Sequence, residues 1–299
     1  MTRRILVPLD GSPEAETILA HVRRIASRRD EVHLLHLVPA LHAPVGPTHL
    51  LALHEQASKF LEVTRAQGLP DLEGLDFVRT GDPAEGILTL ALEKNIDLIA
   101  MSTHGRSGLA NLFLGSVALA VVRTSQLPVL LARPDVPSTR AIRKILLSVE
   151  GGEAPKDLLE TVKSLSSGPT AEIILFHAVP RVPDPAPQWA YPTHLSPLTG
   201  PEHRLQALAD SLEEQGYVAW PVVSAGEAAS EILATADKQA VDLIAIATHG
   251  RSGFGRLLEG SVAETVLRKS PVPVLLQKPL VVHNPAVLGG SHAQTRPGP

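Results

Sequence analysis

The strongest constraint on the fold is a stretch that occurs twice. The first copy reads Asp97-Leu-Ile-Ala-Met-Ser-Thr-His104-Gly105-Arg106-Ser-Gly108, runs on to Leu114-Gly115-Ser116-Val117 and closes on Leu127-Pro-Val-Leu-Leu. The second reads Asp242-Leu-Ile-Ala-Ile-Ala-Thr-His249-Gly250-Arg251-Ser-Gly253, runs on to Glu259-Gly260-Ser261-Val262 and closes on Val272-Pro-Val-Leu-Leu. Gly105 to Gly250 and Gly115 to Gly260 are both 145 residues, so a whole structural unit is repeated. A chain of 299 residues has room for two such units. They are predicted at 1–136 and 140–280, with Pro134 to Thr139 as the linker and a Gly-, His- and Pro-rich tail over 281–299.

Within the first unit, apolar strand patterns run from Arg4 to Leu9 and from Val32 to Val38. Ser12-Pro13 opens a helix carrying Ala15, Ile18, Leu19, Val22, Ile25 and Ala26 at helical spacing. Arg23, Arg24, Arg28 and Arg29 read as its solvated face. Pro39 to His54 reads as a loop, followed by a helix to about Gln67 and a strand near Asp76 to Arg79. Asp82-Pro83-Ala84-Glu85 combines a capping Asp, Pro at the first helical position and Glu three residues on, a strong helix start. The second unit repeats this order. Ile145 to Gly151 matches Ile5 to Gly11, and Ile173-Ile-Leu-Phe-His177-Ala-Val matches Val32-His-Leu-Leu-His36-Leu-Val. Gly226-Glu-Ala-Ala-Ser-Glu231 stands where Gly81-Asp-Pro-Ala-Glu stands in the first unit. Alternating strands and helices predict an α/β fold: parallel sheets with helices on both faces. The Pro-rich segment from Arg181 to Pro201, with Trp189 and Tyr191, reads as a surface loop.

Composition removes several functions. The net charge of −4 argues against nucleic acid as a partner. There are no cysteines, hence no disulfide, thiolate metal site or Cys nucleophile. The N-terminus runs straight into a strand, and its apolar run is too short for a signal peptide or a membrane span. A cytoplasmic protein without a membrane partner is therefore expected. His33, His36, His42, His49 and His54 are spaced too irregularly to predict a metal site.

Each repeated stretch has the chemistry of an anion site. Glycines let backbone N–H groups approach an anion, and a helix N-terminus adds free donors and partial positive charge. Ligands of open parallel sheets sit outside the carboxyl ends of strands where the strand order reverses. In an order 3-2-1-4-5, that point brings Asp10 together with the Ser102 to Gly105 loop. No Gly-x4-Gly-Lys-Ser/Thr or Gly-x-Gly-x-x-Gly motif is present. Instead, nine residues separate Gly105 from Gly115-Ser116, and nine separate Gly250 from Gly260-Ser261.

Both copies resemble the G-x2-G-x9-G-S/T nucleotide signature of the universal stress protein (UspA) family, over nearly the whole chain. The first signature glycine is replaced here by Ser102 and by Ala247, both small. The resemblance implies two tandem Rossmann-like (HUP-type) domains, each a five-stranded parallel sheet of order 3-2-1-4-5. It also implies a stress-induced protein that binds ATP, with Mg2+ or Mn2+ held through the phosphates, and an intramolecular pseudo-dimer that leaves room for a further homodimer. Carried over by motif, Pro8, Asp10 and Val38 lie on the adenosine side. Gly105, Arg106, Gly108, Gly115, Ser116 and Val117 hold ribose and phosphates. Gly250, Arg251, Gly253, Gly260, Ser261 and Val262 are their counterparts. His104 and His249 read as strand-end histidines hydrogen-bonded locally, and Ser116 as a helix N-cap. No catalytic residue is assigned. Without a loop lysine or a separate carboxylate to orient water, hydrolysis is expected to be slow or absent. Glu150 for Asp10, Gly152 for Ser12 and Glu259 for Leu114 predict a weaker second site.

Overall fold

The computed structural model describes residues 2–39, 47–105, 114–137, 141–149, 154–166, 168, 170–181, 200–247 and 262–279. The first half comprises strands β1 (Arg4–Pro8), β2 (Glu31–Val38), β3 (Asp76–Thr80), β4 (Leu98–Ser102) and β5 (Val129–Ala132). Between them lie α1 (Pro13–Glu16), α2 (Ile18–Ile25), α3 (Pro47–Gly68), α4 (Pro83–Glu93) and α5 (Ser116–Thr124). The second half comprises β6 (Lys144–Ser148), β7 (Glu172–Val179), β8 (Val218–Ala225), β9 (Leu243–Ala247) and β10 (Val274–Gln277). Its helices are α6 (Lys156–Leu165), α7 (Pro201–Glu214), α8 (Ala228–Lys238) and α9 (Val262–Lys269).

The strands form one ten-stranded sheet of order β3-β2-β1-β4-β5-β10-β9-β6-β7-β8. Each half is parallel and has the expected order. The halves join by an antiparallel pair in which Leu130 faces Leu275, flanked by Leu131 opposite Val274 and Val129 opposite Leu276. All six are buried. An apolar terminal strand left as an open edge is a template for aggregation, and this pairing removes both such edges. Side chains alternate across the sheet. Ile5, Val7, Ile145 and Leu147 face a layer built with α2, α3, α6 and α7. Leu6, Ile99, Leu146 and Ile244 face the layer of α4, α5, α8 and α9.

Local signals account for several helix starts. Ser12 Oγ accepts from Ala15 N–H at 3.2 Å, and Asp82 Oδ1 accepts from Glu85 N–H at 2.9 Å. Glu227 serves α8 likewise, accepting from the N–H groups of Ala229 and Ser230. Other expectations need correction. The loop predicted from Pro39 to His54 gives way to α3 by Pro47, so His49 and His54 are helical, while His42 lies outside the described residues. Proline at a first helical position, with its φ already set, explains the early start. The single helix predicted after Ser12 is interrupted at Thr17, whose hydroxyl donates to Glu14 O at 2.7 Å. Because α2 ends at Ile25, Arg28 and Arg29 lie beyond it and not on its face. The Pro-rich stretch 182–199 and the tail are outside the described residues, although α7 begins at Pro201.

The histidines of β2 have structural partners. His33 Nδ1 accepts from Leu75 N–H at 3.1 Å, and burial pushes its pKa down against the pull of Glu31. His36 meets the Phe60 ring edge-on, and His54 Nε2 lies 2.7 Å from Thr80 Oγ1.

The linker is anchored. Val136 is buried, and its carbonyl lies 3.2 Å from Nε2 of the buried His21, whose Nδ1 faces Arg24. Burial first and the Arg24 charge second bring the His21 pKa down to about 4, against the opposing pull of the Val136 hydrogen bond. Neutral His21 therefore belongs to the folded state. Its contribution is complete above the unfolded value of about 6.5 and is lost as pH falls from there to about 4. The expected loss across that window is up to about 3 kcal/mol. His21→Gln should flatten the difference in denaturant stability between pH 7 and pH 4.5 relative to the unaltered protein; an unchanged difference would refute this.

Two reciprocal contacts reinforce the junction. Arg133 donates to Arg268 O at 2.7 Å, and Lys278 donates to Arg123 O. Donor and acceptor pairs are related by the same 145-residue offset (133 to 278, 123 to 268). Each cation meets the last turn of a helix in the other half, where free carbonyls and partial negative charge collect. Arg133→Ala and Lys278→Ala should each lower unfolding free energy by about 1 kcal/mol in urea titrations, without changing the fold.

Candidate nucleotide site

The carboxyl ends of β1 and β4 border a cavity of about 270 Å³. This is the point where the strand order of the first half reverses. Leu35, Leu37 and Pro39 from β2 and its exit, Pro83 and Ile87 from α4, and Met101 from β4 form an apolar wall. Asp10, Ser102, Thr103 and His104 form the polar side. Gly105, Gly115, Ser116, Val117 and Ala118 complete the lining.

Asp10 is fixed by the turn that starts α1. Its Oδ1 accepts from Ser12 N–H at 2.9 Å and from Ser12 Oγ at 2.6 Å. Its Oδ2 lies beside Gly105, where a Cβ would stand only 2.3 Å away. Glycine at 105 therefore lets the loop after β4 cross directly over the carboxylate. Thr103, almost fully buried, donates its N–H to Ala132 O at 2.9 Å and accepts Gly115 N–H on its carbonyl at 2.8 Å. The second bond ties the start of α5 to the end of β4. A Cβ on Gly115 would lie 3.1 Å from that carbonyl, a tight fit.

Gly115 is the N-cap of α5, with extended backbone, and its carbonyl accepts the first helical bond from Leu119. Ser116 was expected to be the cap and is instead the first helical residue. The Thr103–Gly115 bond fixes the glycine as the cap, so helical geometry begins at Ser116, one residue earlier than expected. The N–H groups of Ser116, Val117 and Ala118 thus belong to the first turn, which has no intrahelical acceptors, and these residues line the cavity.

His104 follows the sequence expectation of local bonding in part. Its N–H donates to Ser102 Oγ at 3.3 Å, and its Nδ1 lies 2.8 Å from Thr103 Oγ1. Its Nε2 is buried with no hydrogen-bond partner among the described residues. Where Nδ1 accepts the threonine proton, Nε2 carries a proton without an acceptor.

Pro8, Asp10, Ser102, His104, Gly105, Gly115, Ser116 and Val117 are brought together. Val38 is not among the lining residues: it is buried, its carbonyl accepts Gly81 N–H at 3.1 Å, and its neighbours Leu37 and Pro39 take the wall instead. Arg106 and Gly108 lie outside the described residues, as do His249, Gly250, Arg251, Gly253, Gly260 and Ser261. Ala247 ends β9 beside Gln277, and Val262 opens α9. Sequence reading missed Leu35, Leu37, Pro83, Ile87 and Met101. The alternation of 35, 37 and 39 along β2, and the four-residue step from Pro83 to Ile87, are the signals that could have found them.

A crevice of this kind, with a loop-to-helix junction across its mouth, matches one family over both halves. The universal stress protein family model covers residues 1–133 and 141–278. The chain belongs to the universal stress protein family. A universal stress protein of Mycolicibacterium smegmatis is 32% identical over 142 residues, which span 44% of this chain and 45% of that one. One from Mycobacterium tuberculosis is 23% identical over 294 residues, covering 95% of this chain and 86% of the relative. The crystal structure of a universal stress protein from Archaeoglobus fulgidus superposes with a TM-score of 0.71 at 20% identity, covering 92% and 98% of the two chains. That likeness shows the tandem fold. Among the described residues no helix is long and apolar enough to cross a membrane.

Gly105 is a tightly packed position of this universal stress protein site. Gly105→Ala should displace Asp10 or the loop and cost about 1–3 kcal/mol. Thermal unfolding of Gly105→Ala beside the unaltered protein checks this, and equal stability would contradict the contact.

Proposed function

We propose that the first half binds an adenine nucleotide, ATP with Mg2+ or Mn2+, and that the protein is a stress-response regulator in the cytoplasm. One observation carries the reading: a flat apolar wall and a loop-to-helix junction with free backbone donors face the same crevice. An adenine ring suits the wall of Leu35, Leu37, Ile87 and Met101. The Asp10 carboxylate suits ribose hydroxyls, which donate to it. The first turn of α5 and the Ser116 hydroxyl suit phosphate oxygens. The buried Nε2 of His104 would gain an acceptor from the same ligand. The cavity, about 270 Å³, falls just short of the usual range of ligand sites, which starts at about 300 Å³, and suits a nucleoside whose phosphates lie outside it at the first turn of α5.

Among the described residues no group of His, Asp or Glu is placed to hold a metal ion, so the cation would be carried by the phosphates. Asp10 is the one carboxylate among the lining residues, and its Oδ1 is committed to Ser12. A carboxylate held in this way is poorly placed to orient an attacking water, which supports binding over turnover.

Calorimetry with MgATP and nucleotide extraction from the purified protein test the reading. Binding should be measurable in the unaltered protein and at least tenfold weaker in Gly115→Val, whose side chain would press on Thr103 O. Hydrolysis should stay well below one turnover per second. No nucleotide bound or extracted would overturn the binding reading, and fast turnover abolished by His104→Ala would overturn the regulatory one.

A further inference from the structure

The two halves repeat one architecture but differ where the apolar wall of the crevice stands. We infer that the pair Leu37–Gly86 makes the first half competent for the base, that Ala178–Glu231 makes the second half reject it, and that the chain therefore carries one nucleotide. This rests on the adenine-nucleotide reading of the first site.

Leu37 lines the crevice and is half-buried on the face covered by α4. It stands there because residue 86 is glycine: a Cβ at 86 would lie 2.5 Å from Leu37 Cδ2. The helix thus yields its side-chain space to the wall. In the second half the same two positions exchange sizes. The β2–β3 register sets Leu37 beside Arg79, and the β7–β8 register sets Ala178 beside Ser224. Motif alignment places Glu231 of α8 where Gly86 stands in α4. A small strand residue and a large helix residue replace a large strand residue and none.

The exchange changes the chemistry of this helix position. Glu231 Oε2 accepts from Ser224 Oγ at 2.5 Å, and its Oε1 lies so close to Gly226 that a Cβ there would be 2.4 Å away. A carboxylate thus stands at the helix position that is empty in α4, held against the end of β8. Covering it with an aromatic base would strip its remaining water. The purine ring nitrogens, being acceptors, repel it, the exocyclic amine is the one donor on adenine that could offset this, and the phosphates add a second like charge. Two neighbouring changes reinforce this. Leu35 becomes the fully buried Phe176, larger at the floor of the wall, and Ser102 becomes Ala247, which loses the hydroxyl that holds the loop in the first half.

The second half itself shows that the fold accepts the exchanged pair. Leu37→Ala with Gly86→Glu in the first half is therefore a volume-matched test. Calorimetry with MgATP should give one nucleotide per unaltered chain. The double variant should bind at least tenfold more weakly while its thermal midpoint stays within a few degrees. The single change Gly86→Glu, which lacks the compensating alanine, should lower the midpoint further. Two nucleotides per unaltered chain, or one that persists in the double variant with unchanged affinity, would overturn this inference and leave the proposed function standing. No nucleotide at all would overturn both.

Discussion

The antiparallel ladder between β5 and β10 is the contact on which the rest depends. Each half, taken alone, is a five-stranded parallel sheet ending in a buried four-residue strand, apolar throughout in β5 and apolar up to Gln277 in β10. Such a strand cannot stand at an edge without offering unpaired backbone groups and bare side chains to any other chain. Pairing Leu130 with Leu275 at its centre turns two unstable edges into the middle of a single sheet. The core layers on its two faces then run through both halves, and each mixes residues from either side. The remaining edges carry polar groups: Asp76 and Arg79 of β3 pair with Arg65 and Glu93, while β8 contains Pro221. A proline is tolerated at an edge because its missing donor disturbs no ladder on the open side.

The crevice of the first half follows from the same topology. Strand order reverses between β1 and β4, so the chains leaving them diverge to opposite faces and open a gap at their carboxyl ends. Two backbone constraints shape that gap. Gly105 permits the loop to pass over Asp10, and the Thr103–Gly115 bond sets where α5 begins. A shift of either would move the first turn of the helix away from the carboxylate, separating the groups that face one ligand. The crevice is therefore a property of strand ends and helix starts, with few side chains in charge of its shape.

Much of this was legible in the sequence because it rests on short-range chemistry. The duplication, the strand patterns, Ser12 and Asp82 as caps, and the terminal strands are written in local spacing and polarity. Asp10 and Gly105 could be brought together once a strand order was supplied, although they are far apart in the chain. The misreadings also have local causes. His49 and His54 look like loop residues when the helix is started only after His54, whereas α3 already begins at Pro47. Ser116 looked like a cap because serine usually is one; a backbone bond from Thr103, invisible in sequence, gave that place to Gly115. The apolar wall was missed for another reason. Leu35, Leu37, Ile87 and Met101 look like ordinary core residues, and only their position at the strand ends makes them line a crevice.

The union of the halves in one chain has a consequence of its own. In a symmetric pair of identical subunits, a substitution near the axis or in a crevice is made on both sides at once, and association weakens on dilution. Here the partner edge is always tethered, so the shared sheet does not depend on protein concentration. Each side is also encoded separately. The ladder and the reciprocal Arg133 and Lys278 contacts keep the pairing common to both, while Leu37 with Gly86 and Ala178 with Glu231 are free to diverge. A tandem chain can thus retain the architecture of a twofold assembly without its chemical symmetry.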